Sequence, residues 1–183
     1  MNFIINKETP SDYLQVKKVI KSAFNIEAEN SEFNEWILVE KIRNSEYYIN
    51  ELSLVALIEG KVIGHILFTP MKINDENNSY DSLALGPVSV HKDFQNKGVG
   101  KQLIKSGIEK AKELGYKSII VMGDPQYYTK FGFDLASKFQ IGTTSDYNDE
   151  YLFALELLEG ELCRVRGIIK YCPSFYDEHG ELM

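Results

Sequence analysis

Cysteine and histidine are scarce in this chain, and that scarcity removes several chemistries at once. Its 183 residues hold two cysteines and three histidines. Cys163 and Cys172 have neither a C-x-x-C spacing nor a histidine pair beside them, so no metal is expected and both read as ordinary thiols. Long apolar runs are missing as well: Ser118-Ile119-Ile120-Val121-Met122 falls far short of the roughly 20 residues a membrane-spanning helix needs. The opening MNFIINKETPSDY has no basic segment leading into a sustained apolar one, so it does not read as a secretory signal, and the expected compartment is the cytoplasm. Nor is positive charge in surplus. A net charge of −7 argues against a broad nucleic-acid surface and suits a cationic small molecule or peptide better.

What is present describes an ordinary globular chain. With 44% hydrophobic and 26% charged residues, one domain over 1–183 is expected, its core at about 3–157 and a C-terminal extension at 158–183. Phe3-Ile4-Ile5 reads as a first strand. Thr9-Pro10-Ser11-Asp12 is a helix-start signal, and Leu14, Val16, Val19, Ile20, Ala23 and Phe24 follow at mostly helical spacing. A second helix is expected over about 31–44, with Phe33, Trp36 and Ile37 on one side. Residues 52–58 and 62–68, rich in branched apolar residues around Glu59-Gly60-Lys61, read as a hairpin. After the polar loop 74–79 come a fourth strand over 83–90, a helix to about Leu114 with Gly115 as its cap, and a buried strand over 118–122. Residues 151–157 add a late strand, and the tail has room for a short one near Ile168. A strand, a helix and a strand imply parallel pairing, while the hairpin is antiparallel. The fold class is therefore α/β (α+β), a mixed sheet of about six to seven strands flanked by helices.

The segment FQNKGVGK, residues 94–101, lies between the fourth strand and its helix. A P-loop would need glycine at 95 and a hydroxyl at 102, where Gln95 and Gln102 stand, and a dinucleotide fingerprint would need glycine at 103, where Leu103 stands. The pattern Q/R-x-x-G-x-G/A is met by Gln95, Gly98 and Gly100. Glycines allow close backbone approach to an anion, and the unpaired N–H groups of a helix start, with the dipole behind them, favour negative charge. A strand-to-helix turn that holds nothing is the competing reading of these residues.

Two longer stretches weigh against that alternative. The run LGPVSVHKDFQNKGVGKQLIKSGIEKAKELGY resembles the acetyl-CoA signature of the GNAT superfamily of N-acetyltransferases, and VMGDPQYYTKFGF resembles its later Y-x-x-x-G-F element, here Tyr128, Gly132 and Phe133. With ETPSDYLQVKKVIKSAF similar to the family's first helix, the likeness covers about 3–135. The G-D-P-x-Y-Y-x-x-F-G-F run resembles the bacterial subgroup named YhbS. The resemblance implies a sheet whose fourth and fifth strands part and acetyl-CoA as co-substrate. It also implies a pantetheine arm paired with the backbone of Val88, Ser89 and Val90, and a diphosphate on the amides of Gln95, Asn96, Lys97, Gly98, Val99, Gly100 and Lys101. Many relatives carry arginine where Gln95 stands. Gln95 offers no charge, so Lys97 and Lys101 are expected to carry more of the attraction.

Acetyl transfer to an amine needs a proton for the departing thiolate, and Tyr128 matches the family's tyrosine near the coenzyme sulfur. A core aromatic is the alternative role for that residue. A strand-four N–H near Val88 or Val90 could polarise the carbonyl. The general base is not legible. Asp124 reads foremost as a turn residue, His65 as a hydrogen-bonded strand histidine, His91 as lying beside the phosphate segment, and His179 as exposed. Tyr47 and Tyr127 read as packing residues. Asp146, Asp149 and Glu150 could attract an amine, although a solvated acidic loop is the simpler reading. The expected enzyme moves an acetyl group directly to a primary amine of a small molecule or peptide, as a monomer or homodimer without nucleic-acid or membrane partners. The alternative is a non-catalytic acyl-CoA-binding or sensing module.

Overall fold

The computed structural model describes residues 1–24, 35–144 and 149–183, in two compact units. The first unit takes Met1–Phe68, Gly86–Lys110 and Pro173–Met183. In it β1 (Ile4–Lys7) lies antiparallel to β2 (Ser53–Ile58), and β2 to β3 (Lys61–Asn74), with Val55 opposite His65. Glu59 and Gly60 both have positive φ, 48° and 78°, which is the primed turn whose twist matches a two-residue hairpin. At the helix start, the Thr9 backbone N–H and hydroxyl both donate to Asp12 Oδ2, at 2.9 and 2.8 Å. Between β1 and β2 stand α1 (Tyr13–Ala23), which buries Val16, Val19 and Ile20, and α2 (Glu35–Arg43), which buries Leu38, Val39 and Ile42.

Two expectations change here. Leu14 is 77% exposed and Phe24 is also exposed, because the buried stripe of α1 is narrower than the full apolar set. On α2 the buried face is Leu38, Val39 and Ile42; Trp36 is half-buried under Lys17, whose Nζ lies 3.5 Å from the ring centroid, and Phe33 lies outside the described residues.

The strand β4 (Ser79–Val90) leads into α3 (Val99–Glu113), which is seated on β3 by two glycines. A Cβ at Gly64 would stand 2.9 Å from Leu103 Cδ1 and 3.0 Å from Val99 Cγ1, and a Cβ at Gly107 would stand 2.2 Å from the Phe68 ring. Missing side chains on both elements let the helix approach closely, and that approach fixes where its N-terminus lies on β3.

The second unit takes Thr69–Leu85 and Ala111–Cys172. Gly115, at φ 82°, ends α3 in a Schellman arrangement: its N–H donates to Lys112 O, and Tyr116 N–H donates to Ala111 O, both at 3.0 Å. There β5 (Ser118–Met122) runs parallel to β4, with Leu83 opposite Ile119 and Ala84 opposite Ile120. After the single-turn α4 (Pro125–Tyr128) come β6 (Asp134–Leu135), β7 (Ile141–Gly142), β8 (Leu152–Glu156) and β9 (Gly167–Tyr171). β8 is antiparallel to β5 and β6, and β9 pairs antiparallel with the end of β3 and parallel with β7. The mixed sheet is as expected, but nine strands form among the described residues where six to seven were anticipated. The extra ones, β6 and β7, are two residues long and carry no periodic signal.

Candidate functional site

In the first unit, the end of β4 alternates, with Ser89 buried between half-exposed Val88 and Val90. His91 caps the following turn: its N–H donates to Ile63 O at 2.9 Å, and its Nδ1 accepts from Asp93 N–H at 3.4 Å. The chain then turns through Gln95–Gly98, where Asn96 (φ 59°) and Gly98 (φ 84°) adopt left-handed backbone. At Gly98 that conformation favours glycine. Gly98 O accepts from Gln102 N–H at 3.1 Å, so the helical ladder begins there. The amides of Val99, Gly100 and Lys101 therefore belong to the first turn of a 15-residue helix, where no intrahelical acceptor exists for them. Val99 itself is 1% exposed and anchors this turn against Gly64.

The polar side chains of the segment are partly committed locally. Gln95 Nε2 donates to Val90 O at 3.2 Å, bracing the segment against the strand it follows. Lys97 Nζ donates to Asp93 O at 2.7 Å and lies 5.4 Å from the Phe94 ring centroid. Lys101 is exposed.

In the second unit, the expected phenol stands on a short, closely determined turn. Asp124 caps α4, its side chain accepting from Gln126 N–H at 2.8 Å and its carbonyl from Tyr128 N–H at 3.1 Å, which makes it a turn residue. Gly132, at φ 91°, ends the next turn, and Phe133, 2% exposed, packs edge-on against Tyr128 with centroids 5.7 Å apart. The Y-x-x-x-G-F spacing is thus a packing unit: the glycine reverses the chain so that the phenylalanine reaches the tyrosine. Tyr127 also packs against the Tyr128 ring edge-to-face, with centroids 5.3 Å apart. A Cβ at Gly123 would lie 2.4 Å from Tyr128 Cε2, so that glycine makes room for the ring. Tyr128 is 7% exposed, and burial, with the neighbouring Tyr127 phenol adding to it, holds its pKa well above the ordinary value of 10. A phenol is protonated at neutral pH even at its ordinary pKa, and the burial makes this one a weaker acid that still carries a hydroxyl donor. Beside this turn a cavity of about 660 Å³ is lined by Met122, Gly123, Asp124, Gln126, Glu150 and Tyr151.

His65 is fully buried and takes no part in either region. Ser53 Oγ donates to Glu8 Oε2 at 2.7 Å, which leaves it to accept from His65 Nε2 at 3.2 Å. Burial, and then the neighbouring Arg43 charge, lower the His65 pKa to about 4 against the opposing pull of Glu8. Glu8, 1% exposed, also receives Arg43, through Nη2 on Oε1 and Nε on Oε2, and the Tyr48 hydroxyl at 3.1 Å. Tyr48 is accordingly half-buried, its hydroxyl committed to Glu8, while His179 is exposed. Asp146 lies outside the described residues. Among the described residues no cluster of His, Cys, Asp or Glu has the arrangement of a metal site, and no helix is long and apolar enough to cross a membrane. Glu8, Arg43 and Ser53 escaped the sequence reading because nothing in their spacing says that three separated elements meet. Gly123 was hidden inside a turn-like "GDP".

The family model for the acetyltransferase (GNAT) family matches residues 17–133. YhbS of Escherichia coli K12, an uncharacterized N-acetyltransferase, is 27% identical over 173 residues, covering 94% of this chain and 98% of that protein. YjhQ of the same organism, also an uncharacterized N-acetyltransferase, is 33% identical over 133 residues, 73% of this chain and 70% of that one. Among solved structures, a GNAT acetyltransferase from Brucella melitensis in complex with acetyl-CoA has a TM-score of 0.76 and 29% identity, covering 95% of this chain and 98% of its own. The crystal structure of E. coli YhbS in complex with CoA shares the fold, with a TM-score of 0.85 at 24% identity over 96% and 92% of the two chains.

Proposed function

The chain belongs to the GNAT acetyltransferase family, and from that premise we propose that it transfers an acetyl group directly from acetyl-CoA to a primary amine of a small molecule or peptide. The observation that carries the reading is Tyr128: a buried phenol, kept protonated, on a turn whose two glycines serve its ring. Relatives of this chain have been crystallised with CoA and acetyl-CoA. The start of α3, with Gly98 in left-handed backbone and first-turn amides lacking helical acceptors, has the chemistry to hold the coenzyme's diphosphate.

In this reading Val88, Ser89 and Val90 offer strand backbone to the pantetheine arm, and the Gln95–Lys101 segment holds the phosphates. The neutral amine attacks the thioester carbonyl carbon, and the C–N bond forms as the carbonyl π pair moves onto oxygen. A strand N–H at Val88 or Val90 stabilises that oxyanion. When it collapses, the C–S bond breaks, the sulfur takes the pair, and Tyr128 Oη donates a proton to the thiolate. The acceptor nitrogen loses its proton to water, and the Tyr128 phenolate regains one from solvent, so no net proton is consumed. Because the buried phenol is a weaker acid than a thiol near pKa 8.5, it acts first as a hydrogen-bond donor to the sulfur as charge gathers there, the proton passing over as the C–S bond breaks.

The test is release of free CoA thiol from acetyl-CoA across an amine panel, by wild type and Tyr128→Phe, with binding of desulfo-CoA measured in parallel. Transfer by wild type, with the variant keeping coenzyme affinity but losing turnover, supports the proposal. Coenzyme binding without thiol release from any amine would replace it with a sensing role, and absence of coenzyme binding would remove it.

A further inference from the structure

The charge expected around the phosphate segment is thinner than its sequence suggests. Gln95 has none to give, and its amide is already engaged by Val90 O. Lys97 keeps its charge, but one of its three donors is spent on Asp93 O, and the Asp93 carboxylate lies in the same turn. Lys101 stands exposed in the first helical turn, and a dianionic diphosphate is held better still with a further cation. One stands there on a different element.

Lys61 opens β3 at the hairpin turn, and its Nζ lies 5.9 Å from the centroid of Phe94, the residue immediately before Gln95. Lys97 Nζ lies 5.4 Å from that same ring. The hairpin is tied down where it meets the segment: Val62 N–H donates to Gln15 Oε1 at 3.1 Å, and Ile63 O accepts from His91 N–H at 2.9 Å. Two ammonium groups, from β3 and from the segment itself, thus lie close to the ring that precedes Gln95, and each adds positive potential there. The primed turn at Glu59-Gly60 sets the register that delivers Lys61 to this place.

We infer that Lys61 is a phosphate-binding residue of the coenzyme site, supplying together with the segment's own lysines the positive charge at the diphosphate that the uncharged Gln95 does not. This rests on the acetyl-CoA reading. It assigns to the β2–β3 turn a role in coenzyme affinity and none in proton transfer.

The test measures CoA and 3′-dephospho-CoA binding calorimetrically to the full chain, as wild type, Lys61→Gln, Lys61→Arg and Lys61→Glu. Lys18→Gln, on the exposed side of α1, serves as a control of equal charge change, and thermal melts establish that every variant folds. At about 50 mM salt, Lys61→Gln should raise Kd roughly three- to tenfold for both ligands. Lys61→Glu should raise it further, Lys61→Arg should restore it, and the differences should shrink by about 0.5 M salt. A Lys61→Gln Kd equal to that of Lys18→Gln while wild type binds CoA would overturn the assignment and leave the segment's own amides as the site. A loss seen with CoA but not with 3′-dephospho-CoA would also overturn it, moving Lys61 to the ribose phosphate. If wild type binds neither ligand, the coenzyme reading itself fails.

Discussion

Replacing Glu8 by Gln tests how the interior of the first unit is held together. The Glu8 side chain is fully buried and that of Arg43 is 6% exposed, so loss of the carboxylate leaves a guanidinium in the core without its counter-charge. The new amide also brings two N–H donors to a place where Arg43, Tyr48 and Ser53 already donate. Breaking a buried pair from one side costs about 3–5 kcal/mol, a large share of the stability of a domain this size. The assay is urea unfolding followed by the fluorescence of Trp36, the chain's single tryptophan. A double variant, Glu8→Leu with Arg43→Met, removes both charges and should recover part of the loss. It should retain a deficit of about 1–3 kcal/mol from the stranded Ser53 and Tyr48 hydroxyls. A loss below about 1 kcal/mol in Glu8→Gln, with an unchanged denaturant slope, would refute the view that this network organises the unit.

Acid should weaken the fold through His65, whose folded pKa of about 4 lies below its unfolded 6.5. Its contribution is complete above pH 6.5 and is lost as pH falls to 4, about 3 kcal/mol in all, and His65→Gln should flatten that part of the curve in urea titrations at stepped pH. For Gly107→Ala, the gain of about 1 kcal/mol in helix propensity should be outweighed by a contact of 2.2 Å with the fully buried Phe68 ring, so the melting temperature should fall. Gly123→Ala should displace the Tyr128 ring and lower acetyl transfer more than coenzyme affinity, read as kcat against the Kd of desulfo-CoA. Tyr128→Phe should cost on the order of 100-fold in kcat with the fold intact, as measured by thiol release and a thermal melt. A variant within threefold of wild type would exclude the phenol as the acid.

The chain's local chemistry was legible because it is written locally. The runs of branched and large apolar residues in β2 and β3, the tight turn around Glu59-Gly60-Lys61, the Thr9–Asp12 start and the Gly115 stop each need only neighbours in sequence to be recognised. The order of strand, Gly98-bearing turn and helix is legible in the same way, as is the Y-x-x-x-G-F spacing that the fold uses to pack Phe133 on Tyr128. What tertiary structure decided are meetings between distant residues. Arg43, Ser53 and His65 come from three elements and Glu8 from the residue after β1, and only packing shows that they share one buried proton-and-charge network. Nothing local shows that Gly64 on a strand and Gly107 on a helix each make space for the other element's side chains. Lys61 reads as a turn residue until the hairpin carries it to Phe94. Periodicity and turn chemistry act over a few residues, whereas desolvation, close approach and converging charge depend on which surfaces the folded chain presses together.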